Sequence, residues 1–476
     1  MRSSCPSPCL AGAIPAAPAG ASRPSHLLPL FALAIGFVMA MLDVTVINVA
    51  LTSISGQFDT PLSGLVWIVD GYTLTFASLM LAAGALSDRY GAKAVYLAGL
   101  AVFTVASLLC GAAPDTGWLI AARLLQGTGA ALFVPSSLSL LMHAYQDARV
   151  RGRMLAAWSA IITISATAGP LAGGVLISQF GWRGIFLINL PLGLLGFWLA
   201  RAKVASPAPQ PRPLNPTSHV LGIAALGGAS YALIQGNVYG WGAPRILAAG
   251  VSALLCALLL VARERRHAHP IVPHALATAP GYAAANVFGF LVNFAVYGLI
   301  FLLSLYLQQA LSADAMQAGV QLLPVIAVFS IGNLAAGRLA ARFGAPATML
   351  GGAAVAALAS LGAALAYTPG MPYALLAAFL ALGNLATGAA IPAMTALAMQ
   401  IGGHAHANSG AATLNANRQA GALVGVAAMG TVLHLLPDWH ASLPVAMGLI
   451  AAAHAANTVI AGRYLMRRFG TADAAP

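Results

Sequence analysis

The chain has 476 residues, of which 60% are hydrophobic and only 7% charged, with 22 basic and 10 acidic side chains. A water-soluble chain of this length needs roughly a quarter of its residues charged, so most of this protein must face lipid or other helices within lipid. The apolar residues come in long continuous runs and not in the period-2 alternation of a membrane β-barrel, which leaves an all-α polytopic membrane protein.

In chain order, residues 1–26 come first and are rich in Ala, Pro and Ser. The prolines of CLAGAIPAAPAG break any continuous apolar segment, so this stretch reads as a disordered cytoplasmic tail and not as a cleaved signal peptide. Apolar runs of about 20 residues, separated by short polar or Gly/Pro breaks, then predict fourteen membrane spans. They fall at 27–51, 64–86, 93–112, 117–142, 153–177, 184–202, 217–236, 244–262, 282–308, 317–340, 347–367, 372–398, 409–436 and 443–464. A Pro-rich linker, residues 203–216, follows the sixth span. Residues 465–476 form a second tail.

Charge placement tests the count. With both termini in the cytoplasm, one side collects Arg2, Arg23, Arg89, Lys93, Arg149, Arg151, Arg153, Arg201, Lys203, Arg212, Arg263, Arg265, Arg266, Arg338, Arg342, Arg418, Arg463, Arg467 and Arg468. The other side holds only Arg183 and Arg245, and carries Asp59, Asp115, Asp314 and Asp438. Arg123 lies within a span. That separation is the positive-inside pattern, so the net charge of +12 reports topology and not a nucleic-acid partner. Cys5, Cys9, Cys110 and Cys256 indicate neither a disulfide framework nor a metal site.

A repeat divides the chain. GALSDRYGAK, Gly84 to Lys93, follows the second span, and GRLAARFGAP, Gly337 to Pro346, follows the tenth. Asp88 of the first copy becomes Ala341 in the second. The expected organisation is therefore two six-helix units, 27–202 and 282–464, with two inserted helices at 217–262 between them.

GALSDRYGAK resembles the cytoplasmic loop signature of the major facilitator superfamily. LDVTVINVAL in the first span, ARLLQGTGAA in the fourth and AGPLAGG in the fifth are similar to its fourteen-helix drug:proton antiporter branch. SLYLQQALSADAMQAG and LNANRQAGALVG extend the likeness into the second half, so that it runs from about residue 30 to 465. The sequence departs from the branch at Thr52, where Pro is usual, at Ser165, where Gly is usual, and at Ala92–Lys93, where two basic residues are usual. The resemblance implies the major facilitator fold and proton-coupled export of small amphipathic compounds from the cytoplasm of a bacterium, across its inner membrane. No cofactor beyond the proton gradient is implied, and no catalytic or metal residues. The narrower readings are an exporter of one metabolite or antibiotic, or a proton symporter of the same fold. The expected partners are the bilayer, the substrate and protons. The chain would act as a monomer, or with an adaptor and outer-membrane channel in a Gram-negative cell.

Three charges in the first six spans carry the functional expectation. Asp43 is placed roughly 12 Å below the far end of its span, and Asp70 and Arg123 at roughly 9 Å. Similar depth allows an Asp–Arg cluster. Burial disfavours a charged carboxylate and a neighbouring guanidinium favours it, so small movements can switch its protonation. Asp43 is the proton-carrier candidate and Arg123 its partner, against a purely structural pair. Asp70 either joins them or reaches out to water. The loop residues Gly84, Asp88, Arg89, Gly91 and Lys93 are assigned by resemblance to a gate, with the two glycines serving packing and turn geometry. Gly169, Pro170, Gly173 and Gly174 would form a bend or a close helix contact. Asn48, Gln126, Trp158, Asn293, Tyr297 and Asn384 are candidates for a mixed apolar and amide substrate lining. His434 and His454 read as packing histidines. No P-loop or HExxH motif is present.

Overall fold

The computed structural model describes residues 27–206, 215–267, 270, 272–279 and 281–466. The expected tails and most of the Pro-rich linker lie outside the described residues. Everything described is helix or short connection, the arrangement that satisfies every backbone donor and acceptor inside a bilayer.

Thirteen helices are long and apolar enough to span a membrane: α1 Leu28–Phe58, α2 Leu62–Tyr90, α3 Ala92–Gly111, α4 Thr116–Ala144, α5 Arg149–Phe180, α6 Gly184–Lys203, α7 Pro216–Tyr239, α8 Pro244–Arg266, α9 Tyr282–Ala310, α10 Ala315–Phe343, α11 Ala345–Ala366, α12 Tyr373–Gly402 and α14 Trp439–Leu465. The remaining span, α13 (412–435), is continuous with α12 in one helical stretch, Tyr373–Leu435. As a straight rod those 63 residues would reach about 94 Å, three times the apolar thickness of a bilayer. The stretch instead folds back on itself, because Met394 and Leu414 both pack against Gly289.

Several helix starts are fixed by acids. Asp115 accepts the Trp118 amide at 2.8 Å. Asp147 accepts the amides of Arg149 and Val150. Asp314 and Gln317 form a reciprocal capping box, and Asp438 accepts from His440. Three of the four acids expected on the far side are thus N-caps, each covering orphan amides of a first turn.

The sequence repeat reappears as backbone geometry. Gly91 joins α2 to α3 with φ 91°, and its counterpart Gly344 joins α10 to α11 with φ 83°. Only glycine adopts this half of φ/ψ space at little cost. Gly84 is different: a Cβ there, as at its counterpart Gly337, would meet open space. The expected packing role for Gly84 is therefore not present.

Apolar packing places the two units relative to each other. On the side away from the termini, one core draws on both: Val46, Leu51 and Ile54 of α1 and Leu65 of α2 pack with Leu302, Leu305, Leu322, Leu380, Val426 and Ile450. On the terminal side the cores are separate. One is built from α1 to α6, around Leu33, Tyr96 and Phe133. The other belongs to α9 and α11 to α14, around Phe288, Met349 and Met394. The units are sealed together at one end and separately packed at the other. Helices α7 and α8 pair with each other, and α7 also packs on α2 and α13, where Asn237 donates to Thr431 at 2.8 Å. Helix α8 buries only Ile246 and Ala253 and turns Leu247, Leu254 and Leu258 outward, as suits a lipid-facing periphery.

Candidate coupling site

Asp43 lies fifteen residues from each end of α1. It is therefore at mid-depth, deeper than expected, because α1 continues as helix beyond the apolar run to Phe58. Its carboxylate is fully engaged. Oδ2 is ion-paired with Arg123 Nη1, and Oδ1 accepts from Gln126 Nε2 at 2.9 Å. Arg123 and Gln126 are three residues apart on α4, so both side chains leave one face of that helix.

The cluster extends outward from these three. Arg123 Nη1 also donates to Gln126 Oε1 at 2.7 Å, and Nε donates to the Ile68 carbonyl at 3.0 Å. The guanidinium sits over the Tyr72 ring, 4.6 Å from its centroid, a cation–π contact. Gln126 Nε2 donates to Ser107 Oγ at 2.9 Å. Arg123, Gln126 and Ser107 are wholly buried. Isolated charges at this depth are costly, and a pair is tolerated because nearly every donor and acceptor has a partner.

Glycines bring these helices close enough. A Cβ on Gly127, one residue after Gln126, would overlap the Tyr72 carbonyl and the Thr75 hydroxyl. The α5 motif does the same on two sides, within its own unit and across to the other. Gly169 receives Thr45 of α1, two residues beyond Asp43, and Gly173 receives Val46. On its other side, a Cβ on Gly174 would lie 2.8 Å from the Ala315 carbonyl of α10, and the Pro170 carbonyl lies against Gly319. The stretch Gly169–Gly174 is thus a wedge between α1 and α10.

The other expected residues scatter. Asp70 is not in the cluster and does not reach water: it is 0% exposed, with neither carboxylate oxygen hydrogen-bonded. Gln126 serves the ion pair, not a cavity wall. Asn48 bonds back to the Val44 carbonyl, and its own carbonyl accepts from Ser304 of α9 at 2.8 Å, tying the two units in the half of the membrane away from the termini. Trp158 is edge-on to Phe37 at 4.9 Å, with its indole nitrogen unpartnered. Asn384 lines a small cavity inside the second unit with Ser360, Thr387 and His454. Asn293 accepts from Arg418 Nε at 3.2 Å, one turn from Tyr297. In the loop, Lys93 donates to the Arg201 carbonyl in the last turn of α6 at 2.9 Å, Arg89 is exposed beside Tyr90, and Asp88 is half-buried.

Sequence reading missed Tyr72, Ser107 and the Ile68 carbonyl. Tyr72 stands two residues after Asp70 and carried a signal, a phenol in an apolar run. The Ile68 carbonyl could not have been found, since any residue supplies one. Arg418 was expected near a helix end, yet it reaches Asn293, eleven residues into α9.

A multi-pass helical protein built from two similar halves, with a buried ion pair at mid-depth of the first, defines a narrow class. The chain belongs to the Major Facilitator Superfamily, whose family model matches residues 33–426. It is 46% identical to the methylenomycin A resistance protein of Bacillus subtilis over 93% of this chain and 95% of that one. It is 33% identical to the multidrug resistance protein Stp of Mycobacterium tuberculosis, over 86% and 76% of the two chains. The crystal structure of the human organic anion transporter MFSD10 shares the fold, with a TM-score of 0.63 at 15% identity, covering 92% of this chain and 100% of that one.

Proposed function

We propose that this chain is a proton-coupled exporter of small amphipathic organic compounds, a transporter and not an enzyme, working by alternating access between its units 27–202 and 282–464. The observation that carries the reading is the Asp43–Arg123–Gln126 cluster at mid-depth of α1. The arrangement fits a state open toward the terminal side, since the cores are joined on the far side and separate on the near one. In that state Asp43 is ionised and held by Arg123, which corresponds to a proton already released. Rebinding a proton would remove the charge that Arg123 pairs with, loosening α1 from α4. Thr45 and Val46 seat Gly169 and Gly173, so a shift of α1 passes to α5 and on through Gly174 to α10. Asp70, bare and buried, is a second proton acceptor. Asp88 and Arg89 act at the gate between α2 and α3.

The protein would sit in the bacterial inner membrane with both termini cytoplasmic, needing no cofactor beyond the proton gradient. It would act as a monomer, or with an adaptor and outer-membrane channel in a Gram-negative cell. One observation favours a narrow substrate range: the 46%-identical relative is named for resistance to a single compound. The test is substrate-triggered proton release from vesicles under an imposed pH gradient, with Asp43→Asn alongside. Release with a compound panel that disappears in the variant is expected. Release that survives in Asp43→Asn would remove Asp43 as the carrier.

A further inference from the structure

Asp43 and Arg123 form a buried ion pair within the first unit. Arg418 of α13 is a second guanidinium at membrane depth, and it has no carboxylate. Its side chain runs past Gly289 and its Nε donates to Asn293 Oδ1. That is its one hydrogen bond among the described residues, so the two Nη groups meet no protein acceptor. The residue is half-buried, not sealed into a core. Around it stand further donors: the Asn293 amide, whose oxygen is already used, and Tyr297, within electrostatic reach of Arg418.

The position lies between the units. Three residues before Arg418, Asn415 donates to Met80 of α2. Tyr297 is also within electrostatic reach of Tyr72, the ring beneath the Arg123 guanidinium. Arg418 thus stands on the second unit's side of the interface, on the terminal side of mid-depth beside Gly289 and Asn293.

Charge decides what such a place can hold. Of the ten acidic residues, only Asp43 and Asp70 are at membrane depth. Both oxygens of Asp43 are occupied, and Asp70 is fully buried. A cationic guest beside Arg418 would meet a guanidinium without a counter-charge and no carboxylate to pair with. A carboxylate would find Arg418 Nη groups able to bind both its oxygens in a fork, with an amide and a phenol beside them.

We propose that Arg418 is the anion-recognition residue of the transport site, and that the exported compounds carry a carboxylate. This rests on the export reading above and names its substrate class. An anionic guest also suits antiport, because its charge is neutralised only in the second unit and leaves Asp43 free to titrate in the first.

The test uses the full-length purified chain in detergent micelles and series that differ only in head group. One series is 4-phenylbutyrate, its methyl ester and 4-phenylbutylammonium; the other is cyclohexanecarboxylate, its methyl ester and cyclohexylmethylammonium. Binding is followed by tryptophan fluorescence and by thermal stabilisation. The acids should bind about ten-fold or more tightly than ester or ammonium, as loss of a charge-assisted hydrogen bond implies. Arg418→Gln should weaken the acids about ten- to a hundred-fold, and Arg418→Lys less, since a point charge cannot fork. Ammonium compounds binding as well as the acids to the wild-type chain overturns the proposal, and that comparison needs no variant to fold. So does acid binding unchanged in Arg418→Gln, or no binding by any acid. Phosphatidylglycerol engaging Arg418 while no acid does would assign the arginine to a lipid headgroup, again overturning it. No pH gradient exists in micelles, so the two readings separate. Acids that bind through Arg418 but move no protons in vesicles remove the export reading alone. Ammonium compounds that drive proton release remove the carboxylate proposal alone.

Discussion

Replacing Arg123 by Gln should destabilise the protein far more than replacing both members of the ion pair. Arg123 is wholly buried and serves three acceptors: Asp43, Gln126 and the Ile68 carbonyl. Its loss leaves a carboxylate at mid-depth with only the Gln126 amide. Breaking a buried pair from one side typically costs about 3–5 kcal/mol. Asp43→Asn keeps the shape and one acceptor oxygen but leaves the buried Arg123 guanidinium without a counter-charge, so it too breaks the pair from one side, at a similar cost of about 3–5 kcal/mol. It also turns an amide donor toward Gln126 Nε2, and flipping that glutamine gives no relief because its Oε1 is needed to accept from Arg123 Nη1. The double variant Asp43→Asn/Arg123→Gln carries no buried charge at all. Its cost should therefore fall below the sum of the singles, with a coupling energy of about 2–3 kcal/mol. Equilibrium unfolding in mixed micelles of increasing SDS fraction, run on all four proteins, measures the cycle. Additive costs, or an Arg123→Gln protein as stable as wild type, would refute the ion pair as the resting arrangement.

The loop glycines give a sharper contrast than their shared motif implies. Gly91→Ala should cost about 1–3 kcal/mol because its φ of 91° is unfavourable for any side chain, whereas Gly84→Ala should be neutral or slightly stabilising within a helix. Thermal unfolding of the two variants distinguishes them, and equal effects would contradict the geometry. Gly127→Ala would force α4 off the Tyr72 carbonyl and the Thr75 hydroxyl. A loss of about 1–3 kcal/mol is expected for such overpacking, together with weakened proton release, because the Arg123 contact to Tyr72 spans the same gap. Unchanged stability and coupling in that variant would show that the α2–α4 approach is not demanded by the site.

The spans were legible because lipid imposes one rule on every segment, a continuous apolar run of bilayer length. The repeat was legible because Gly84 to Lys93 and Gly337 to Pro346 preserve spacing as well as composition. What the sequence could not carry was azimuth. Asp43, Asp70 and Arg123 read as three charges at similar depth, and only the rotation of α2 and α4 about their axes decides which pair forms. Arg123 turns to Asp43, while Asp70 is left alone. Arg418 escaped because it lies only nine residues into the predicted span 409–436 and so counted with the cytoplasmic charges, whereas its side chain reaches Asn293 of α9. Gln126 looked like a cavity amide because nothing in a sequence reveals that a carboxylate from another helix waits opposite.

The matched glycines Gly91 and Gly344 bear on how the two halves could be interchanged as well as on turn geometry. The two copies of the loop differ at their charged positions, with Ala341 where the first has Asp88 and Pro346 where it has Lys93. Both copies nonetheless keep the one residue that lets the backbone turn the corner. Side-chain chemistry at this corner can differ between the halves, because it does not set the backbone path. The corner itself cannot be delegated, since each body must make its own. Such a molecule is symmetric in its hinges and asymmetric in its locks, so designed swaps between the halves should tolerate exchange of the charged positions far better than exchange of the glycines.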